Sequence, residues 1–94
     1  MDELRFEWDP RKARANHAKH GVSFEEATTA FADEGGKVLP SPDHAIDEDR
    51  FVLLGFSQRH RLLVVVHCFR LEHLRIRIIS ARKATKGERE QYGR

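Results

Sequence analysis

The side chains best equipped for chemistry in this 94-residue chain are arginines, histidines and a glutamate on three consecutive strand-like segments, residues 50–56, 61–69 and 73–82. A loop over residues 70–72 sets Phe69 opposite His73, and strict alternation then sorts the side chains into two faces. Cys68 with Leu74, Val66 with Ile76 and Val64 with Ile78 form an apolar face. The opposite face sets His67 beside Arg75 and Val65 beside Arg77. A loop over residues 57–60 in the preceding hairpin adds Phe51 and Leu53 to the apolar face and lands Arg50 opposite His67. Arg50, His67 and Arg75 then form a row across three strands, with Arg77 one pleat along and Glu48 one pleat before Arg50. Cations and an imidazole on a half-exposed sheet face suit RNA cleavage, which must stabilise a phosphorane-like dianion while one group takes a proton and another gives one. A solvated, arginine-rich outer face balanced by Glu48 fits the same pattern, so alternation alone leaves the chemistry open.

Other candidates lie outside that sheet. Lys12, Asn16, Lys19 and His20 fall at i, i+4, i+7 and i+8 and share one face of a helix, either its solvated side or the flank of an RNA groove. His17 and His20 are three residues apart, yet no Cys, Asp or Glu completes a ligand spacing beside them, so neither a metal nor another cofactor is expected. Phe6, Trp8, Phe69 and Tyr92 are able to stack on unpaired bases. Trp8, next to a helix start, reads better as core, while Tyr92 is open to either role. The single cysteine, Cys68, excludes an intrachain disulfide and reads as a small core residue. No Gly-x-Ser-x-Gly elbow, phosphate-binding Walker loop or Gly-x-Gly-x-x-Gly turn is present, so the usual signatures of hydrolases, nucleotide triphosphatases and dinucleotide enzymes are missing.

The elements that must position these residues are legible from caps and periodicity. A short strand over residues 4–8 is followed by Asp9-Pro10, a helix cap with proline at the first helical position, and Gly21 stops that helix. Lys19 and His20 in its last turn suit the helix dipole. Ser23 and Glu26 have capping-box spacing and open a second helix to about Ala32. Residues 37–39 permit an edge strand ended by Pro40. Thr85 and Glu88 repeat the box and open a terminal helix to about Tyr92, weakened by Gly87. The order β-α-α-β-β-β-β-α predicts an α+β fold: one domain over residues 1–94, with an antiparallel sheet, two N-terminal helices on one face and a short C-terminal helix.

Composition adds direction. Hydrophobic residues make up 39% and charged residues 34%, which fits a folded chain. Residues 1–48 hold 6 Lys/Arg against 11 Asp/Glu, net −5, whereas residues 49–94 hold 11 against 4, net +7. A polyanion would approach the second half, where 9 of those 11 cations are arginines that can fork two hydrogen bonds onto a phosphate. The longest apolar run, residues 62–66, is too short to cross a bilayer, and Met1-Asp2-Glu3 lacks the form of a secretion signal. A cytoplasmic protein without membrane contact is expected.

Several stretches together resemble a known family. They are Phe6-Glu7-Trp8-Asp9-Pro10-Arg11-Lys12, then Asn16, then Lys19-His20-Gly21-Val22-Ser23-Phe24-Glu25-Glu26-Ala27, and later Arg77-Ile78-Ile79-Ser80-Ala81-Arg82-Lys83-Ala84-Thr85. With Glu48 and Arg50 before a strand and Glu88 to Tyr92 at the end, nearly the whole chain is similar to BrnT toxins in order and spacing. The resemblance implies a RelE-like fold, a ribonuclease that stalls translation, and a BrnA-type antitoxin that blocks the toxin and alone binds operator DNA. Its matching positions here are His20, Glu48, Arg50, Arg77, Arg82 and Lys83, with Tyr92 in addition; His67 and Arg75 come from the register instead. The resulting expectation is attack of the 2′-hydroxyl on the neighbouring phosphate without a metal. Arg50, Arg77 and Arg82 would clamp the phosphate, Glu48, His67 or His20 would exchange protons, and Lys12, Lys19, Arg75, Lys83 and Tyr92 would hold the RNA. By alternation Arg82 continues the apolar face, so it reaches solvent only if its strand ends or bends before it. A non-catalytic nucleic-acid-binding or protein-interaction subunit remains the alternative.

Overall fold

A computed structural model describes residues 4–41, 50–70 and 74–93. The Asp9 carboxylate accepts from the Arg11 N–H at 2.8 Å and starts α1 (Pro10–His20), with proline where a missing N–H costs nothing. Gly21, at φ 70°, ends the helix and donates its N–H to the His17 carbonyl. A Cβ here would strain the left-handed turn. The Ser23 hydroxyl accepts from the Glu26 N–H at 3.0 Å and starts α2 (Phe24–Thr29), which runs into a 3₁₀ turn at Ala30–Ala32. Only half of that expected capping box forms, because the Glu26 carboxylate turns inward. At α3 (Lys86–Tyr92) the box is complete: Thr85 accepts from the Glu88 N–H and the Glu88 carboxylate accepts from the Thr85 N–H.

Five strands, β1 (Arg5–Glu7), β2 (Lys37–Pro40), β3 (Arg50–Phe56), β4 (Leu62–Arg70) and β5 (Arg75–Lys83), form one sheet in the order β1-β5-β4-β3-β2. The run β2 to β5 is the expected antiparallel meander. The sheet as a whole is mixed, however, because β1 pairs with β5 in parallel, Glu7 beside Arg77. This corrects the purely antiparallel expectation. Hairpin loops specify neighbours only between strands they join, and β1 leads into the helices, so nothing local names its partner or direction.

One face of the sheet packs against the helices. Val22, Phe24, Ala27 and Ala30 are fully buried against Leu53, Leu63, Val65, Ile76, Ile78 and Ala81, with Phe6, Trp8, Ala13 and Phe31 closing the margin. Trp8 meets Phe24 edge to face at 5.9 Å, so it is a core residue. Gly55 lets this layer approach closely: a Cβ there would lie 2.9 Å from the Ala30 carbonyl. Asn16 ties α1 to β5 by acting as a short piece of strand. Its amide accepts from the Ala81 N–H at 3.1 Å and donates to the carbonyls of Ala81 and Val22 at 2.8 and 3.0 Å. Because β1 pairs only with Arg75–Arg77, these edge groups of β5 would otherwise be buried without partners.

The registers differ from strict alternation in two places. Arg50 lies opposite Cys68 and Phe51 opposite His67, one residue away from the expected pairing. Between β4 and β5, Arg70 faces Arg75 and Cys68 faces Arg77, whereas after a bulge Val66 faces Ser80 and Val64 faces Arg82. Both shifts turn β4 over relative to its neighbours. The reason is its position at the centre of the sheet: residues 62–65 are all buried, so its apolar run carries no alternation to read. No helix among the described residues is long and apolar enough to cross a membrane.

Candidate active site

The sheet face away from α1 and α2 gathers arginines. The pairings place Glu7, Arg77, Cys68 and Arg50 in one row across β1, β5, β4 and β3. At about 4.8 Å per strand, the Cα atoms of Arg77 and Arg50 stand about 10 Å apart across Cys68, close enough for both long side chains to meet over it. Cys68 is 5% exposed and forms the small floor between them. Arg75 lies one pleat before Arg77 on the same face. The bulge resolves the expectation for Arg82: one extra residue between Ile78 and Ala81 keeps both in the core and returns Arg82 to the side of Arg77. Arg82 stands further along, roughly 16 Å from Arg77 at about 3.3 Å per residue.

Carboxylates hold three of these guanidiniums. Glu7 accepts from Arg75 at 3.2 Å and from Arg77 at 3.3 Å. Burial pushes the Glu7 carboxyl up, but the two hydrogen bonds outweigh it and the net position is below the ordinary value. Glu88 takes Arg82 in a two-pronged pair at 2.8 and 2.9 Å. That pair and the Thr85 N–H hold the Glu88 carboxyl at about 2 against burial, so it stays ionised. The pair also fastens α3 beside a second, smaller apolar cluster of Leu54, Leu62 and Val64, flanked by Val52, Ala84 and Tyr92.

Tyr92 has a structural task. Its hydroxyl donates to Asp33 at 2.7 Å, and its ring meets Phe56 edge to face at 5.0 Å. Asp33 also accepts from the N–H groups of Phe56 and Gly35, which together with Tyr92 hold its carboxyl below the usual value. Tyr92 therefore pins α3 to the sheet.

The remaining expected residues are not brought to this face. His67 is turned to the helix side, where it is 4% exposed, donates from Nδ1 to the Val65 carbonyl at 3.1 Å and meets Phe31 edge to face at 4.8 Å. The row Arg50, His67, Arg75 is thus corrected to Glu7, Arg77, Cys68, Arg50. Lys12, Lys19 and His20 belong to α1, which packs on the opposite face of the sheet, and Lys83 faces the helix side by its pairing with Leu63. Glu48 lies outside the described residues. Glu7 was not singled out by sequence reasoning. Alternation within residues 4–8 was its available signal, but it needed the parallel partner to acquire meaning. Among the described residues, no three His, Cys, Asp or Glu side chains gather as a metal site.

Burial pushes the His67 imidazole down, with its bond to Val65 opposing only in part. A group whose folded pKa lies below its unfolded value of 6.5 stabilises the fold fully at higher pH and loses that contribution as pH falls past 6.5. Compared with wild type, His67→Phe flattens the fall in stability between pH 7 and 5, by at most about 1.4 kcal/mol per pH unit. Urea unfolding at several pH values measures the slope; an unchanged slope would show that the imidazole does not titrate in this way.

The overall structure is similar to the 1.1 Å crystal structure of the Brucella abortus ribonuclease toxin BrnT, with a TM-score of 0.68, 23% identity, and coverage of 89% of this chain and 100% of that one. At that identity the likeness concerns the fold. No curated protein matches the chain significantly. Residues 8–88 match the sequence profile of a family described as the ribonuclease toxin, BrnT, of type II toxin-antitoxin systems. The match runs from Trp8, just after β1, to Glu88 on α3, and so takes in Arg50, Arg75, Arg77 and Arg82: the chain belongs to the BrnT family of ribonuclease toxins of type II toxin-antitoxin systems.

Proposed function

We propose that the arginine face cleaves RNA without a metal, by in-line attack of a ribose 2′-hydroxyl on the adjacent phosphate. The products are a 2′,3′-cyclic phosphate and a 5′-hydroxyl. The observation that carries this reading is the placement of Arg77 and Arg50 on either side of Cys68 on a half-exposed sheet face. Two guanidiniums rooted on either side of a small floor supply charge where the pentavalent phosphate gathers negative charge, once the phosphate draws Arg77 from Glu7, and that is where electrostatic stabilisation has most effect. Arg75 and Arg82 lie along the same strand and hold neighbouring phosphates of the bound strand. RNA reaches Arg75 and Arg77 by displacing Glu7, and partly exposed single-pronged pairs of this kind resist by only about 0–1 kcal/mol, whereas the two-pronged pair of Arg82 with Glu88 holds harder and is costlier to open.

The fold is read as RelE-like and the chain as one domain acting in the cytoplasm, where cleavage of transcripts inhibits translation. A BrnA-type antitoxin silences the protein by covering the arginine face, and operator DNA is bound through the antitoxin alone. The test is incubation of a defined RNA with the purified protein in EDTA, followed by analysis of the product ends. Cyclic phosphate and 5′-hydroxyl ends are expected. Cleavage only with added divalent ions, giving 3′-hydroxyl ends, would overturn the mechanism.

A further inference from the structure

The arginine face carries a proton acceptor as well as cations. We propose that Glu7 is a catalytic residue that accepts the proton of the attacking 2′-hydroxyl, an inference that rests on the ribonuclease reading above. Of the residues in the row across the sheet, Glu7 alone is a base at neutral pH and touches a guanidinium assigned to the phosphate: its two oxygens accept from Arg75 at 3.2 Å and Arg77 at 3.3 Å. Its side chain is 27% exposed, so it is both fixed and reachable. His67, the imidazole expected to do this work, is buried on the other face.

The same contact couples substrate binding to basicity. Before RNA binds, two guanidiniums hold the Glu7 carboxylate, with Arg70 adding to the field, and it is a weak base. When a phosphate draws Arg77 away, Glu7 loses a donor and becomes more basic beside the 2′-hydroxyl of the bound nucleotide. The 2′-hydroxyl proton passes to Glu7 as the bond between the 2′-oxygen and phosphorus forms. The bond between phosphorus and the 5′-oxygen breaks, and that oxygen takes a proton from water. The hydroxide left behind recovers the proton from Glu7, so charge and atoms balance over one turnover.

Glu7→Gln keeps the size and shape of the side chain but removes its charge. Two readouts are needed: kcat on a short single-stranded RNA, and affinity for the same oligonucleotide with 2′-deoxyribose throughout, which cannot be cleaved. The expected result is a fall in kcat of about 100-fold or more, the size typical of a lost general base. Affinity for the deoxy oligonucleotide should stay level or rise, because an anion beside the phosphate has been neutralised. A kcat within threefold of wild type would overturn the proposal. So would a loss of affinity matching the loss of rate, which identifies Glu7 as a holder of Arg75 and Arg77 rather than a base. Arg77→Ala, run alongside, separates this failure from that of the parent reading: if it cleaves as well as wild type, the arginine face is not the active site and the role of Glu7 falls with it.

Discussion

Arg77→Ala lowers kcat/KM for RNA cleavage by roughly 100- to 1,000-fold, the loss expected when one preorganised donor to a developing oxyanion is removed. Arg50→Ala does the same from the other side of Cys68. Arg77→Ala leaves the protein folded, because Arg77 gives up one partly exposed pair with Glu7, and such pairs contribute about 0–1 kcal/mol. Arg77→Lys restores only part of the activity, since an ammonium supplies charge without the two-pronged geometry. Arg75→Ala has a smaller effect, mostly on KM, because Arg75 stands beside the row rather than in it. Cleavage kinetics paired with thermal unfolding by circular dichroism separate the two kinds of loss. Full activity in Arg77→Ala would remove the arginine face from the mechanism.

The largest expected loss of stability lies elsewhere, at Glu26. Its side chain is 4% exposed, and its carboxylate accepts from Ser57 at 2.7 Å, from Arg61 Nε at 2.8 Å and from an Arg61 terminal nitrogen. Arg61 also donates to the Gly21 carbonyl at 3.1 Å, so one guanidinium joins the end of α1, the start of α2 and the loop before β4. The Arg61 bond, chiefly, and the Ser57 hydroxyl hold the Glu26 carboxyl below its ordinary value of 4.5 against the effect of burial. Glu26→Ala strands the guanidinium and the hydroxyl and costs about 3–5 kcal/mol. For a chain of this length that is a drop in Tm of more than about 12 °C. The same pairing sets an acid limit: with its folded pKa depressed, Glu26 stabilises the fold above pH 4.5 and loses that contribution as pH falls below it. In Glu26→Gln this acid-dependent part is absent. Unchanged stability in Glu26→Ala would mean that the buried pair does not hold the helix layer to the hairpin.

Which parts of this were readable beforehand follows from how each signal arises. Asp9-Pro10, Gly21, Ser23 and Thr85 act through bonds to residues two to four positions away, so the helix limits were local and legible. Hairpin spacing likewise located β3, β4 and β5. Register was not local. Residues 62–66 are apolar on both sides, and the bulge that re-aims Arg82 lies just before Ala81, whose strand edge Asn16 holds from 65 positions away. The face of arginines was foreseen from β3 and from residues 75–78 of β5, where alternation holds, but its central strand was inverted, which exchanged Cys68 for His67. Glu26 shows the same limit: its spacing from Ser23 spells a capping box, yet Arg61 and Ser57, 35 and 31 positions away, claim its carboxylate.

A double-mutant cycle over Arg50 and Arg77 tests most directly whether the two guanidiniums grip one phosphate. Measured as kcat/KM on a short RNA, Arg50→Ala combined with Arg77→Ala is predicted to lose far less than the product of the two single losses, because either change alone already dismantles the shared clamp. Losses that multiply fully, as for two independent contacts, would contradict the account.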